Sequence, residues 1–429
     1  MPRIRRTAAI GAAVLAMTAV AAGCSSSTPK DGAGPADHVT ITYMLPSSWA
    51  NVPGFQDNVH AWEKQTGNTV TLTPVPDANY DSLVQARLAA KSGIDIFAGQ
   101  DTAKDKAAIM HPGTGPWLER LDPGIRKAIT SPDGKVWGTP SADGLHASGV
   151  IYNKDVFAKA GVTTPPTTLA DVQSALQKVK NAGVTPLYLS GKDGWTLLQH
   201  RNSVNASFVG ADQQLVSKLD ANQIKWADVP GFNQQYQALA DWVGKGLIND
   251  DALTATYESA TAALANGKAG AIINGTWALA EITKANPSAN LGFFLLPAAD
   301  GPSTLGLGKP NLLKVATFSK AAVQAQDFLN FMIAQPQAQK FMAANPGVSA
   351  FTDVKAASPS GAVADLQKLV DQGGFVVPFD QQSAIPQPQD DIVAAYQELI
   401  GKRVDVTAFG ELVQKAWQSA GAKATAAGF

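Results

Sequence analysis

VTITYMLPSSWANVPGFQDNVHAWEKQTGNTVTLTPVPDANYDSLVQARLAAKSGIDIF, residues 39–97, decides the fold class. Val39–Leu45 alternates apolar and polar side chains, which predicts a strand. Phe55, Val59 and Trp62 then fall on one helical face, and Gly67 is a natural stop. Asn68–Val75 alternates again. Tyr80, Leu83, Val84, Arg87 and Leu88 make a second helical stripe, broken by Ser92-Gly93, and Ile94–Phe97 reads as a short strand of the buried type. The order β-α-β-α-β opens a doubly wound α/β layer. Ligands of such sheets sit beyond the carboxyl ends of strands, which directs attention to Pro46–Trp49 and to Gly99-Gln100-Asp101.

Downstream, Pro132-Asp133-Gly134 is a turn followed by a short strand, and a further strand carries Val150 and Ile151. Leu169, Val172, Leu176 and Val179 have helical spacing in a segment beginning near Thr167. More helices are predicted near 212–219, 234–243, 259–266, 321–333, 336–344, 390–401 and 409–420. AGAIING (Ala269–Gly275) and NLGFFLLP (Asn290–Pro297) read as buried strands. No internal repeat is present.

Upstream, Arg3, Arg5 and Arg6 precede an apolar run from Ala8 to Ala22 and then Gly23-Cys24. That order of charged, apolar and small residues is a secretory leader. Its end, Ala21-Ala22-Gly23-Cys24, resembles the lipobox of bacterial lipoproteins. The resemblance implies cleavage before Cys24 and lipidation there; an ordinary secretory leader is the alternative. The run is too short to span a bilayer. Ser25–Asp37, rich in Ser, Pro and Gly, reads as a flexible tether.

Composition fits an exported globule: apolar residues are 45% and charged residues 16%. Removing the three leader arginines moves the formal charge from −1 to about −4, the wrong sign for a nucleic-acid binder. Cys24 is the only cysteine, so the body has no disulfide, thiolate metal site or Cys nucleophile. No H-E-x-x-H, G-x-S-x-G or Walker glycine loop occurs. Adjacent acids such as Asp250-Asp251 and Asp390-Asp391 point apart on a regular element. Neither an enzyme nor a cofactor or metal protein is therefore expected. The remaining length exceeds what one core usually organises, so two domains are expected.

KVWGTPSADGLHASGVIYNKDVFAKAGVTTPPTT (Lys135–Thr168) resembles the signature of the sugar-type extracellular solute-binding proteins of ABC importers. It carries Gly138 and Pro140, Tyr152-Asn153-Lys154-Asp155, Phe157, Lys159, Gly161, Pro165-Pro166 and Thr168. LANGKAGAIINGTW (Leu264–Trp277) and VQAQDFLNFMIAQPQAQKFM (Val323–Met342) resemble two further family motifs. The sequence departs from the pattern in Ser92–Phe97, which lacks a proline, at Leu264 in place of Phe, and at Trp137 in place of Tyr. The resemblance implies an α/β two-lobe periplasmic-binding-protein fold, its lobes discontinuous in sequence and closing on a cleft by a hinge. It implies crossings near 143–148, 273–276 and 315–319. The expected organisation is a signal peptide 1–23, a tether 24–37, an N-terminal lobe of 38–145 and 274–318, and a C-terminal lobe of 146–273 and 319–429. The implied activity is capture of a carbohydrate at the outer face of the membrane. The protein would act as a monomer held by lipid alone and deliver its ligand to ABC permease subunits.

A pyranose offers an apolar face and a rim of hydroxyls, so its site needs aromatic faces and planar groups that both donate and accept hydrogen bonds. Trp49 in the loop after the first strand, Trp195 in the Gly-bracketed GKDGW and Trp277 in NGTW are the stacking candidates, whereas Trp62, Trp242 and Trp417 lie on helical stripes and read as core. Gln100, Asp101, Asp143, His146, Asn274 and Gln387 are the polar candidates. Asp101 heads a helical segment, where capping competes with ligand contact. Several tryptophans on loops favour an oligosaccharide over a monosaccharide. A receptor for a polyamine or an anion is the rival binding class; an anion would favour Arg, Lys or helix N-termini. An exported glycan-acting enzyme is the third reading.

Overall fold

Two sheets share the nine strands found among the described residues of the computed structural model. Those residues are 38–50, 52, 54–76, 79–100, 103, 105–345, 347–355, 361–426 and 428–429. The leader, Cys24, the tether and Asp101 lie outside them. All that follows concerns the unit Val39–Phe429.

The first sheet has the order β2-β1-β3-β9-β4. Its strands are β1 (Thr40–Pro46), β2 (Thr69–Val75), β3 (Ile96–Ala98), β4 (Thr139–Pro140) and β9 (Leu312–Val315). β1 runs parallel to β2 from Thr40↔Thr69 to Pro46↔Val75, and parallel to β3. β9 enters antiparallel between β3 and β4. The helix Phe55–Thr66 buries Val59 and Trp62 against this sheet and ends at Gly67, whose φ of 76° is the left-handed stop that the sequence predicts. The helix Tyr80–Ala90 buries Tyr80, Val84 and Leu88, while Leu83 is turned to solvent.

The second sheet has the order β6-β7-β5-β8. Its strands are β5 (Ser148–Asn153), β6 (Thr185–Leu187), β7 (Ala269–Gly275) and β8 (Leu291–Phe294). Successive side chains of a strand point to opposite faces. Val150, Tyr152, Ala271, Ile273 and Phe294 accordingly enter one core, and Ile151, Ile272, Leu291 and Phe293 enter the other. A sheet covered on both faces explains why AGAIING and LGFF read as unbroken apolar runs.

The strand pairing divides the chain at places other than the expected lobe boundaries. β8 falls in the 274–318 stretch assigned to the first lobe, yet it pairs with β5 through Val150↔Phe294 and Ile151↔Phe293. The helix Ala322–Met332, expected in the second lobe, packs on the first sheet's core. Its Phe328 lies edge-on to Trp62 at 5.2 Å, and Trp62 Nε1 donates to Asp327 Oδ2 at 2.9 Å. By strand pairing the chain passes between the sheets at 141–147 and at 295–311, and the strands on either side of 273–276, β7 and β8, share the second sheet. An apolar run announces a buried strand, but its partner is fixed by tertiary packing that the run itself does not encode.

The crossing segments are laced to one another. Leu145 bridges Val348, Ala147 bridges Leu307, and Gly306 bridges Val376. Gly144 and Gly347 meet backbone to backbone: a Cβ on Gly144 would lie 3.0 Å from the Cα of Gly347.

Candidate ligand-binding site

Six of the nine tryptophans are at most 7% exposed, and Trp62, Trp242 and Trp417 are among them. The three that keep an open face are Trp49, Trp195 and Trp277. Trp277 follows the carboxyl end of β7. A Cβ on Gly275 would stand 2.1 Å from its indole ring, so the glycine gives the indole room to lie over the strand. His146 presents its ring edge-on to Trp277 at 5.7 Å and 82°. The 146–148 segment is fixed by Thr276, whose N–H donates to Ala147 O at 3.0 Å and whose hydroxyl accepts the Ala147 N–H at 3.2 Å. Burial holds the His146 pKa down at about 4, so the ring is neutral at pH 7. Asn274 is buried, and its side-chain carbonyl accepts the Gly275 N–H at 2.8 Å.

Trp195 sits in the turn Gly194–Thr196 and is 40% exposed. Its ring leans on Tyr257 at 5.0 Å, and Asp193 Oδ2 accepts the Tyr257 N–H at 2.7 Å. Val393 leaves no room for a side chain at Gly194, where a Cβ would come within 2.3 Å. Gln199 joins this turn to the start of β5. Its Nε2 donates to Trp195 O at 3.2 Å, and its Oε1 accepts from Ser148 Oγ at 2.9 Å and Asn202 Nδ2 at 3.3 Å. Ser148 pairs with Gly275 across β5 and β7. One hydrogen-bonded frame thus holds Trp195, Trp277, His146 and Asn274 together.

The remaining candidates are placed differently. Asp143 is half-buried in the first crossing; burial pushes its carboxyl above the ordinary range, with the Ser141 and Asn311 side chains pulling the other way. It comes near Tyr43 of β1, whose hydroxyl is held neutral by burial and by the proximity of Tyr80 and Asp143. Tyr80 is itself pushed up to about 12 by burial; its hydroxyl donates to Met44 O and accepts the Ala98 N–H. Gln100 follows β3 in the left-handed region at φ 60° and is half-buried. Trp49 packs one face on the first sheet's core. Gln387 is drawn inward: its Oε1 accepts from the buried Arg201 and its Nε2 donates to Ile385 O at 3.1 Å. Its acceptor is therefore engaged by the protein itself.

The sequence reading missed Ser148, Gln199, Asn202 and Tyr257. Gln199 and Asn202 lie on the helix Leu198–Ala211, which is buried on nearly every side. A helix with no solvent face shows no amphipathic stripe. Among the described residues no group of three His, Cys, Asp or Glu side chains is placed to hold a metal ion, and no helix is long and apolar enough to cross a membrane.

The model of the family described as Bacterial extracellular solute-binding protein matches residues 47–339. The chain belongs to this family. Among solute-binding proteins, it is 24% identical over 344 residues to the melibiose/raffinose/stachyose-binding protein MelE of Bacillus subtilis, covering 78% of this chain and 79% of that one. The solved structure of the solute-binding protein RafE in complex with raffinose superposes with a TM-score of 0.75 at 20% identity, over 89% of this chain and 99% of the other. That of a chitin oligosaccharide binding protein gives 0.72 at 23% identity, over 90% and 100%. At these identities the superpositions establish the two-lobe α/β solute-binding fold.

Proposed function

We propose that this solute-binding protein captures an oligosaccharide between its lobes and hands it, chemically unchanged, to the permease of an ABC importer. The observation that carries the reading is the frame of Trp195, Gln199, Ser148 and Trp277, in which one buried carboxamide links the Trp195 backbone to Ser148, and Ser148 pairs with Gly275 two residues before Trp277. Indole faces suit the apolar faces of sugar rings, and neutral donors and acceptors suit hydroxyls. His146, neutral at pH 7, and the raised carboxyl of Asp143 add polar groups without the cationic lining an anion would need. The saccharides named for MelE and RafE and the chitin-oligosaccharide relative point to the same ligand class.

One lobe is then built on the first sheet and the helix Ala322–Met332, the other on the second sheet. Trp49, Gln100 and Asp101 would approach the ligand from the first lobe, Asp143 and His146 from the crossing, and Asn274, Trp195 and Trp277 from the second. Gln387 acts in this reading through Arg201 and the loop it steadies. Cleavage before Cys24 and lipidation there would hold a monomer at the outer face of the membrane, with residues 24–37 as the tether.

A thermal-shift panel of raffinose, stachyose, mannobiose and diacetylchitobiose tests the ligand class, with glycerol 3-phosphate and spermidine for the rival classes. A ligand at one hundred times its Kd adds about 2.7 kcal/mol of stability. Trp195→Ala and Trp277→Ala should each abolish that gain with the unliganded fold intact. Full response in both mutants refutes the site, stabilisation by glycerol 3-phosphate or spermidine alone refutes the ligand class, and recovery of the sugar in smaller pieces refutes the receptor reading. Cys24→Ser should release the protein into the medium.

A further inference from the structure

We propose that the outer face of the second lobe carries an accessory site for a neutral, hydroxyl-rich chain, separate from the cleft. A groove of about 650 Å³ runs along the helix Phe232–Gly244, walled by the starts of the helices Leu169–Asn181 and Val406–Lys423. From Asn233 to Lys245, twelve residue steps along the helix and its cap, it spans about 18 Å, so it suits an extended ligand. That volume lies within the range of small-molecule sites.

The lining selects the chemistry. Carboxamides make up most of its polar side chains: Gln173, Asn233, Gln234 and Gln237. A carboxamide donates and accepts at once, as a hydroxyl does. Two of them are already held in place. Lys245 Nζ donates to Gln173 Oε1 at 2.6 Å, spanning the groove between two helices, and Gln237 Nε2 donates to Asp241 Oδ1 at 2.8 Å. The charges of Asp241 and Lys245 offset each other. The bordering helix N-termini that would attract an anion carry their own acids, Asp171 in a capping box and Asp405 as a cap. A neutral polar ligand is left.

A second, independent observation lies in the floor. Trp242 lines the groove, is 1% exposed, and its indole Nε1 has no hydrogen-bond partner. An indole N–H only donates, and a buried donor costs free energy until an acceptor reaches it. The Nε1 itself is closed to solvent, so a ligand hydroxyl oxygen would serve as that acceptor only as the ring tips toward the groove. The same residue also lines an apolar cavity with Val150, Ala271 and Ile273 of the second sheet. None of the groove's lining residues belongs to the frame of Trp195, Gln199, Ser148 and Trp277.

Labelling the nine tryptophan indole nitrogens makes the test direct, because each N–H gives its own resonance. The protein is titrated with raffinose, stachyose, mannobiose and diacetylchitobiose. The Trp242 resonance should shift saturably with at least one of them, in the wild type and in Trp277→Ala alike. Gln234→Ala with Gln237→Ala should weaken that response about tenfold while the Trp195 and Trp277 resonances respond as before. A Trp242 resonance unmoved by every sugar overturns the proposal. So does one that moves only in step with the cleft resonances and falls silent in Trp277→Ala. Failure of the cleft reading looks different: Trp195 and Trp277 stay still while Trp242 moves.

Discussion

Gly275→Ala is the sharpest test of the aromatic frame, because it alters Trp277 without touching its chemistry. The added methyl would stand 2.1 Å from two ring atoms and 2.3 Å from a third. Carbon atoms rest at about 3.5 Å, and a gap of up to 1 Å already forfeits a quarter to a half of a dispersion well. The indole must withdraw by roughly 1.4 Å, which forfeits half or more of its contact with a stacked ring. Truncating a central aromatic anchor costs about 2–4 kcal/mol of binding, so the glycine variant should lose roughly 1–2 kcal/mol, or raise Kd about 5- to 30-fold. Gly275 is not among the residues with positive φ, so alanine brings no backbone strain. Calorimetric titration with whichever saccharide stabilises the wild type gives the Kd, and urea unfolding of the unliganded protein controls for the fold. Wild-type affinity in Gly275→Ala with an intact fold refutes Trp277 as a platform. Weak binding in Gly275→Ala beside normal binding in Trp277→Ala refutes it too, since the damage would then lie elsewhere.

Gln199→Leu should loosen the Trp195 turn, shift its fluorescence and weaken sugar binding several-fold, and Ser148→Ala should do the same more mildly; two variants that bind as the wild type would show that the carboxamide positions nothing. Burial holds the pKa of His200 down at about 3, against an ordinary 6.5. The unfolded chain therefore takes up a proton below pH 6.5 that the folded one refuses, and stability falls as pH falls. Between pH 7.5 and 5 this site alone costs about 2 kcal/mol. Urea unfolding at both pH values should show that increment in the wild type and not in His200→Gln, whereas an equal loss in both would refute the assignment. His146 acts in the same direction, while the raised carboxyls of Asp143 and Asp380 oppose it; comparing the two proteins cancels all three.

How far the sequence could be read follows the physics of each element. β1, β2 and the helix Phe55–Thr66 were legible because a half-buried element must alternate or carry a stripe. The helix Leu198–Ala211 was not: Gln199, His200, Arg201, Ser203, Asn205 and Ser207 are all buried, so polarity there carries no information about direction. β9 hid for a related reason, since the fully buried Lys314 interrupts a four-residue strand. The open tryptophans stood out through their neighbours, as Gly194 and Gly275 mark places where an indole or a side chain crowds the backbone. The frame that joins those indoles depends on contacts between residues 148, 199 and 275, and no local pattern announces a contact at that separation.

The position of β9 bears on when the first layer can form. It lies between β3 and β4, and β4 pairs with no other strand among the described residues. A nascent chain ending before Leu312 leaves β3 with a bare edge and Thr139–Pro140 without a neighbour. Closing a loop of that length is slow, because distant pairings must bear the entropy of closure before contacts repay it. Most of the polypeptide would thus leave the ribosome before the first layer can lock, so that layer is completed late, once residues 312–315 are free to slot between its two waiting edges.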